Sequence, residues 1–230
     1  MESKFIKTFD TTKFPFINFF KDHLKKINVK NLENLHNEIS EDYLNSEIVS
    51  VENDQYQKIY SYLYTIDPYY SLKDKNEPGE FIQCYKNFVN FLSKDLFNEK
   101  LIYQSKPTLR VHYPNNLAVG GFHRDSDYNH PLEEINIWVP ITTATDTASI
   151  WIESSYDKKD FSPNNLKFGE CLIFDSSLMH GNKENKEKYT RISFDFRVIP
   201  ISKWNNEAEE KSSLANQIKF KIGDYYSISD

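Results

Sequence analysis

The segment Arg191–Val198, RISFDFRV, combines two chemistries along one extended run. Successive side chains of a β-strand point to opposite sides, so Arg191, Ser193, Asp195 and Arg197 share one face, and the aromatic and aliphatic residues between them share the other. An edge strand with a solvated outer face shows this pattern. A barrel strand whose apolar face packs on helices and whose polar face lines a ligand cavity shows it equally well. The rest of the sequence decides between the two.

Short β-favouring segments recur over residues 100–200, with turn residues between them. They read KLIYQ, TLRVHY, EINIWVPI, ASIWIES, CLIFD and RISFDFRVIP. Residues 1–99 place apolar side chains at three- and four-residue spacing, which predicts a mostly helical segment. We therefore expect an α+β, mainly β protein in which a sandwich or barrel is covered on one sheet by the N-terminal helices.

The last thirty residues, 201–230, predict an extension made of a helix and a strand. The helix is expected in NEAEEKSSLANQI (206–218) and an edge strand in KFKIG (219–223). No composition shift or low-complexity linker separates the helical half from the β half, so residues 1–230 are predicted to form a single domain.

Composition and charge restrict the classes of function. Hydrophobic residues make up 39% and aromatic residues 15% of 230 residues, which is enough apolar area for a folded core. The formal net charge of −6 gives no electrostatic footprint for nucleic acid or an anionic membrane. The first residues contain no apolar leader segment, and no run approaches the roughly 18 apolar residues of a membrane span. We expect a soluble, cytoplasmic protein with a small-molecule partner, and the sequence indicates no oligomeric state.

The stretch GFHRDSDYNHPLEEINIWVP, residues 121–140, carries the first metal-ligand signal. His123 and Asp125 are two positions apart, so on an extended segment both side chains project to one side. His180 ends an apolar strand in a later segment, ECLIFDSSLMH. Two imidazoles and one carboxylate leave open positions on an octahedral ion, as in non-haem iron(II) oxygenases. An H-x-D pair alone is a weak signal, since histidine is common near turns.

A candidate anion site follows eleven positions after His180, where Arg191 begins the next strand. A buried guanidinium must be compensated, and its planar fork suits a carboxylate held through two hydrogen bonds. Ser193 lies on the same face and can add a third hydrogen bond. This pair predicts a site for the far carboxylate of a dicarboxylic acid.

These motifs resemble the iron(II)/2-oxoglutarate-dependent dioxygenase superfamily over residues 107–200. His180-Gly181, Asn185 and Arg191 follow the H-G-x-x-x-N-x-x-x-x-x-R pattern of its phytanoyl-CoA-dioxygenase-like branch. Where that branch carries P-G-S-H after its central strand, this chain has WIESS at 151–155, which separates it from fatty-acyl substrates. The compact block 122–138 is similar to small bacterial members linked to sugar or antibiotic-type metabolism.

The resemblance implies a double-stranded β-helix, a jelly roll of cupin-like type, with the polar face of RISFDFRV turned inward. It implies that His123, Asp125 and His180 hold iron(II), and that Arg191 and Ser193 bind the cosubstrate 2-oxoglutarate. With dioxygen, hydroxylation of a small polar metabolite would release succinate and CO2.

Further contacts are expected on neighbouring segments. Asn136 and Trp138 are candidates for the cosubstrate side, although a backbone-satisfied Asn and a core Trp fit the pattern equally well. Candidate substrate contacts are Arg110, Tyr113, His130 and Arg197. His112 and Arg124 alternate away from these positions and are expected off the metal.

Two alternatives stay open at this point. A cupin-like metal-dependent isomerase or epimerase uses the same barrel and metal without oxidation. A non-catalytic jelly-roll module binds its ligand without any metal. Neither alternative contradicts the strand pattern.

Overall fold

The computed structural model describes residues 3–25, 29–38, 79–117, 121–214 and 217–230. Residues 39–78 of the segment predicted to be mostly helical lie outside this part of the chain. Within it the protein is mainly β, built from two antiparallel sheets and a small number of helices.

The larger sheet carries seven strands of the described chain, in the order β1-β7-β4-β9-β2-β10, with β3 also paired to β9. The bounds are β1 Lys4–Thr8, β2 Leu101–Gln104, β3 Thr108–His112, β4 Ile135–Pro140, β7 Glu170–Asp175, β9 Arg191–Pro200 and β10 Tyr226–Ile228. Strand β9 is the longest and pairs with β2, β3 and β4. The segment RISFDFRV therefore runs through the middle of the sheet, where both of its faces are covered.

The smaller sheet has the order β6-β5-β8 and is made of two-residue strands. These are β5 Trp151–Ile152, β6 Ser162–Pro163 and β8 His180–Gly181. A hydrophobic cluster with Trp138 and Phe174 on the larger sheet and Ile152 on the smaller one joins the two. The polar side chains of β9 point into the space between the two sheets, beside this cluster.

Three helices flank the larger sheet in the described residues: α1 Phe16–Lys25, α2 Leu35–Glu38 and α3 Glu80–Leu92. Phe16 on α1 contacts Phe194 with ring centroids 4.9 Å apart, and Tyr85 on α3 contacts Phe196 at 5.0 Å. Fully burying one such aromatic side chain contributes roughly 1.5–3 kcal/mol. The predicted packing of N-terminal helices on the apolar face of β9 is confirmed.

The two ends of the chain differ from the sequence-based prediction. Strand β1 lies inside the region predicted to be mostly helical and pairs antiparallel with β7. In the C-terminal extension, the predicted helix is only a 3-10 turn at Asn206–Glu210, and the strand is β10 instead of residues 219–223. The reason is tertiary: Tyr226 is fully buried with Ile102, Ile199 and Phe220, so this segment gains more from pairing with β2.

No helix in the described ranges is both long and apolar enough to cross a membrane.

Candidate metal centre

Three ligand-type side chains converge between the sheets. His123 precedes β4, Asp125 begins a 3-10 turn at Asp125–Tyr128, and His180 begins β8. One ligand atom from each lies within 4.8 Å of the others. Nε2 of His123 is 3.7 Å and Nε2 of His180 is 3.9 Å from Oδ1 of Asp125. The three predicted metal ligands are therefore brought together at one point.

Backbone pairing sets the approach of the two histidines. His123 and His180 exchange two N–H···O hydrogen bonds of 2.9 Å in an isolated antiparallel bridge. Gly181 permits this contact, because a Cβ at that position would lie 2.9 Å from the Cα of Phe122. A side chain at residue 181 would push the two ligand segments apart.

Hydrogen bonds orient both imidazole rings. Nδ1 of His123 lies 2.8 Å from the carbonyl of Gly121, and Nδ1 of His180 lies 2.9 Å from the carbonyl of Leu178. A carbonyl accepts only, so each Nδ1 carries a proton, and the Nε2 of a neutral ring presents its lone pair toward Asp125. Burial lowers the pKa of His180, although the Asp125 carboxylate acts to raise it. The lowered pKa favours the neutral form of the ring, which is the form that binds a metal.

Asp125 is 1% exposed and is held from behind by two side chains. Asn136 donates to its Oδ2 at 2.6 Å, and Arg197 donates to its Oδ1 at 3.0 Å. Burial acts to raise the pKa of Asp125, but the charge of Arg197 and the hydrogen bond from Arg197 hold it well below its ordinary value. The carboxylate is therefore ionised and fixed in orientation.

A cavity opens beside the three ligands. Its wall includes His123 and His180 and the polar face of β9. The other residues that line it are Arg110, Asn136, Trp138, Ile150, Phe174, Gly181, Asn182, Arg191, Asp195 and Arg197. The polar face of RISFDFRV thus lines a cavity, which resolves the choice left open by the strand pattern.

Arg191 is 1% exposed, and its guanidinium contacts neutral acceptors. Its Nη1 donates to Oγ of Ser193 at 2.8 Å, its Nη2 to Oδ1 of Asn182 at 2.7 Å, and its Nε to the Ala148 carbonyl at 3.0 Å. The guanidinium carbon lies 5.6 Å from the ring centroid of Trp138. These contacts aim the side chain across the cavity wall without adding a negative charge.

His112 lies behind Arg191, away from the metal ligands as expected. Burial, reinforced by the Arg191 charge, lowers its pKa to about 3, so the ring is neutral. Its Nε2 donates to the Asn116 carbonyl at 2.7 Å, which leaves Nδ1 to accept from Arg191 at 3.4 Å. The ring serves Arg191 as an uncharged acceptor.

The candidate substrate contacts divide into two groups. Arg110 lines the cavity and forms a two-pronged pair with Asp195, with bonds of 2.8 and 3.3 Å. Arg197 also lines it, but its guanidinium is bound to Asp125, to Gln104 at 3.3 Å and, at 3.6 Å, to Glu134. Arg197 thus supports a ligand, a role that the substrate-contact prediction missed.

Tyr113 and His130 lie away from the cavity and correct the prediction. Tyr113 is 3% exposed within the main hydrophobic cluster, on the strand face opposite Arg110. His130 donates to Glu134 at 2.8 Å and packs against Phe220, at 4.6 Å between ring centroids. A loop histidine next to an acidic run resembles a site residue in sequence, but here the C-terminal segment covers it.

Several residues of the site environment carried no signal in the sequence. Glu134 has a fully buried carboxylate that accepts hydrogen bonds from His130 and Tyr226 and forms an ion pair with Nε of Arg197 at 3.6 Å. Asn182 and Gln104 complete the surroundings of the two arginines. Each depends on contacts between distant segments, so no local pattern marks it.

The chain was compared with known proteins. It is 36% identical over 143 residues to the streptomycin biosynthesis protein StrG of Streptomyces griseus, an alignment that covers 62% of this chain and 67% of that protein. No family model matches the chain.

Three solved structures show the shared fold. The non-haem alpha-ketoglutarate-dependent carbocyclase SnoK from nogalamycin biosynthesis superposes with a TM-score of 0.55 at 8% identity, over 100% of this chain and 93% of that one. EctD from S. alaskensis, solved with 2-oxoglutarate and 5-hydroxyectoine, gives 0.52 at 11% identity, over 87% and 73%. CytC3 with Fe(II) and alpha-ketoglutarate gives 0.51 at 12% identity, over 97% and 88%. The chain therefore has the fold of the non-haem iron(II)/2-oxoglutarate-dependent oxygenases.

Proposed function

The chain belongs to the family of the streptomycin biosynthesis protein StrG, and from this premise we propose that it is an iron(II)- and 2-oxoglutarate-dependent oxygenase that hydroxylates a small polar metabolite. The proposal includes the finer fold assignment: residues 1–230 form one domain whose core is a double-stranded β-helix. The phytanoyl-CoA-dioxygenase-like branch stays a prediction.

The observation that carries this proposal is the convergence of His123, Asp125 and His180 beside a cavity. Two imidazole Nε2 atoms and one ionised carboxylate oxygen face the same point. This donor set fits iron(II) and leaves positions for a bidentate cosubstrate and dioxygen. A closed tetrahedral zinc site would have a fourth protein ligand, and no fourth His, Cys, Asp or Glu joins the cluster in the described residues.

Arg191 and Ser193 are proposed to bind the distal carboxylate of 2-oxoglutarate. The guanidinium presents a planar fork at the cavity wall, and the Ser193 hydroxyl lies 2.8 Å from it. Trp138 limits the width of this end of the cavity, and the His112 ring beside Arg191 is neutral. Asn136 acts on the cosubstrate side only through Asp125, whose Oδ2 it holds.

The remaining polar wall suits a small hydrophilic substrate. The Arg110–Asp195 pair offers both a cation and a carboxylate at the open part of the cavity, where the two side chains are 27% and 15% exposed. A polar metabolite can bond to either partner without unpairing a fully buried charge. Kinship with StrG, an antibiotic biosynthesis protein, supports a substrate of that metabolic type.

The protein supplies position and exclusion of water, and iron with 2-oxoglutarate supplies the oxidising power. One dioxygen molecule would oxidise both substrates, so that R–H, 2-oxoglutarate and O2 give R–OH, succinate and CO2. Asn136 and Arg197 hold the Asp125 carboxylate in place during turnover, because each donates a hydrogen bond to one of its two oxygens.

Anaerobic titration tests the proposal directly. Iron(II) followed by 2-oxoglutarate should produce the weak visible charge-transfer band of a chelated 2-oxo acid, and H180A should abolish it. After oxygen is admitted, succinate should form, at an increased rate with the correct metabolite. A spectrum unchanged at saturating concentrations would remove the oxygenase assignment.

The same experiment separates the two alternatives. An isomerase or epimerase would convert its substrate without oxygen and without succinate. A binding module would retain its ligand in H180A, whereas the proposed enzyme loses iron and activity together.

A further inference from the structure

The two segments that carry the metal ligands are joined by little regular structure. His123 and His180 pair through a single backbone bridge, and β8 is only two residues long. A bridge this short leaves the ligand spacing dependent on the surrounding side chains. The structure offers two such side chains, Arg124 and Glu153, on the side away from the metal.

Arg124 stands between the two ligands of the H-x-D motif. Its backbone is extended, with φ −105° and ψ 147°, so its side chain projects opposite to His123 and Asp125. Nε donates to the Ser177 carbonyl at 3.1 Å, and Nη2 lies 3.4 Å from Oε1 of Glu153. The guanidinium is 13% exposed and 4.5 Å from the ring centroid of Tyr156. Arg124 therefore ties one ligand segment to the turn that presents His180.

Glu153 grips the residue immediately before His180. Its backbone N–H donates to the Met179 carbonyl at 3.1 Å, and its Oε1 accepts from the Met179 N–H at 2.7 Å. Oε2 accepts from the Lys159 N–H at 3.0 Å, and the side chain is 0% exposed. Burial acts to raise the pKa of Glu153, but these backbone donors and Arg124 hold it below the ordinary value. This carboxylate belongs to the WIESS segment, which departs from the family pattern.

We propose that Arg124 and Glu153 are a positioning clamp that sets the spacing of the metal ligands. The clamp rests on the proposed metal function of His123, Asp125 and His180. Oε1 of Glu153 bonds to both Arg124 and Met179, so it links the residue after His123 to the residue before His180 in two hydrogen bonds. Neither side chain reaches the metal, and each acts through a ligand segment.

Charge alone makes a different prediction, and the difference in sign provides the test. Removing the Glu153 carboxylate takes a negative charge from the vicinity of a cation and weakens binding on electrostatic grounds. Removing the Arg124 guanidinium takes away a positive charge and strengthens it. A clamp predicts weaker binding in both cases, because either change frees the same pair of segments.

The experiment measures Co(II) binding to the apo protein by calorimetry and by the visible absorption of the bound ion. The variants are E153Q, R124Q and the double variant, and D160N is the matched control. Asp160 accepts hydrogen bonds from the backbone and hydroxyl of Ser154 in the same loop, and these bonds involve neither Arg124 nor Met179. Circular dichroism of each apo protein checks that it is folded.

We expect E153Q and R124Q each to lose about tenfold in Co(II) affinity, with an altered absorption band, in line with the effect of residues that orient metal ligands. The double variant should be little weaker than either single one, and D160N should match the wild type. If R124Q fails to fold, R124K decides, since a single ammonium keeps the charge but replaces the fork that meets Ser177 and Glu153.

Tighter or unchanged binding in R124Q, or in R124K where that variant is used, overturns the clamp and leaves the metal site intact. An equal loss in D160N also overturns it, because the loop as a whole would then be responsible. Failure of the wild-type protein to bind Co(II) removes the proposed function itself, which is a distinguishable result.

Discussion

Two buried arginines on the same face of β9 meet opposite surroundings. Arg197 contacts carboxylates, with Asp125 at 3.0 Å, Glu134 at 3.6 Å and Asp195 at 3.9 Å. Arg191, six positions earlier, donates to a carbonyl, a hydroxyl and an amide oxygen. One strand thus uses the same side chain in two settings: the Arg197 guanidinium holds Asp125, and the Arg191 guanidinium is proposed to bind the distal carboxylate of 2-oxoglutarate.

The largest effect on stability should come from removing Arg197, the arginine that contacts carboxylates. In the apo protein, R197A leaves the buried carboxylates of Asp125 and Glu134 without their cation, which costs roughly 3–5 kcal/mol in the free energy of unfolding. Urea denaturation measures this cost. R110A is the matched control, because its partner Asp195 is partly exposed, and its loss should be much smaller. Equal losses in the two variants would contradict the distinction.

The pH dependence of stability sharpens the same comparison. The folded-state pKa of Asp125 lies below its unfolded value, so this group contributes stability above about pH 4 and loses it as the pH falls. In R197A the opposing cation is gone, and burial raises the pKa instead. Unfolding free energies measured between neutral and acidic pH should therefore fall less steeply in R197A than in the wild type. Parallel curves would show that Arg197 does not control this carboxylate.

Removing the other arginine should affect ligand binding more than folding. R191A is expected to weaken the binding of 2-oxoglutarate by about 2–5 kcal/mol, since one side of a charged, two-pronged contact is lost. R191K keeps the charge but loses the planar fork, so its affinity for 2-oxoglutarate should lie between those of the wild type and R191A. Calorimetric titration of the metal-loaded proteins under anaerobic conditions measures both. Unchanged affinity in R191A would assign this arginine another role.

The smallest effect is expected at Ser193. Its hydroxyl lies 2.8 Å from Nη1 of Arg191 and is fully buried. S193A should weaken the binding of 2-oxoglutarate by roughly 0.5–1.5 kcal/mol, the net contribution of one hydrogen bond. The same titration detects it, and the unfolding free energy of the apo protein should change far less than in R197A. A loss as large as that of R191A would move the main carboxylate contact to the serine.

The sequence predicted the parts of the site that follow strand alternation. Residues two apart on one strand share a face, so the polar face of β9 and the grouping of His123 with Asp125 could be inferred locally. The same alternation predicted that the apolar face of β9 packs on helices, and the structure identifies Phe16 and Tyr85 as the residues that contact it.

Contacts between distant segments could not be inferred in this way. The network around Glu134 joins a loop to the C-terminal strand through Tyr226 and to β9 through Arg197. These three residues are far apart in the sequence, and the fold brings them into contact. The sequence predicted His130 as a substrate contact because Phe220, which packs against it, lies ninety positions away in the sequence. The C-terminal strand was misplaced for a related reason, since burial of Tyr226 outweighs local propensity.

The central claim is that His123, Asp125 and His180 bind one metal ion whose open side faces Arg191. Anomalous diffraction at the iron edge, from crystals loaded anaerobically with iron(II) and 2-oxoglutarate, tests it most directly. The account predicts one strong peak in coordination contact with Nε2 of both histidines and with Oδ1 of Asp125, with the distal carboxylate of the cosubstrate on the Arg191 guanidinium. A peak elsewhere, or a cosubstrate that does not reach Arg191, would contradict it.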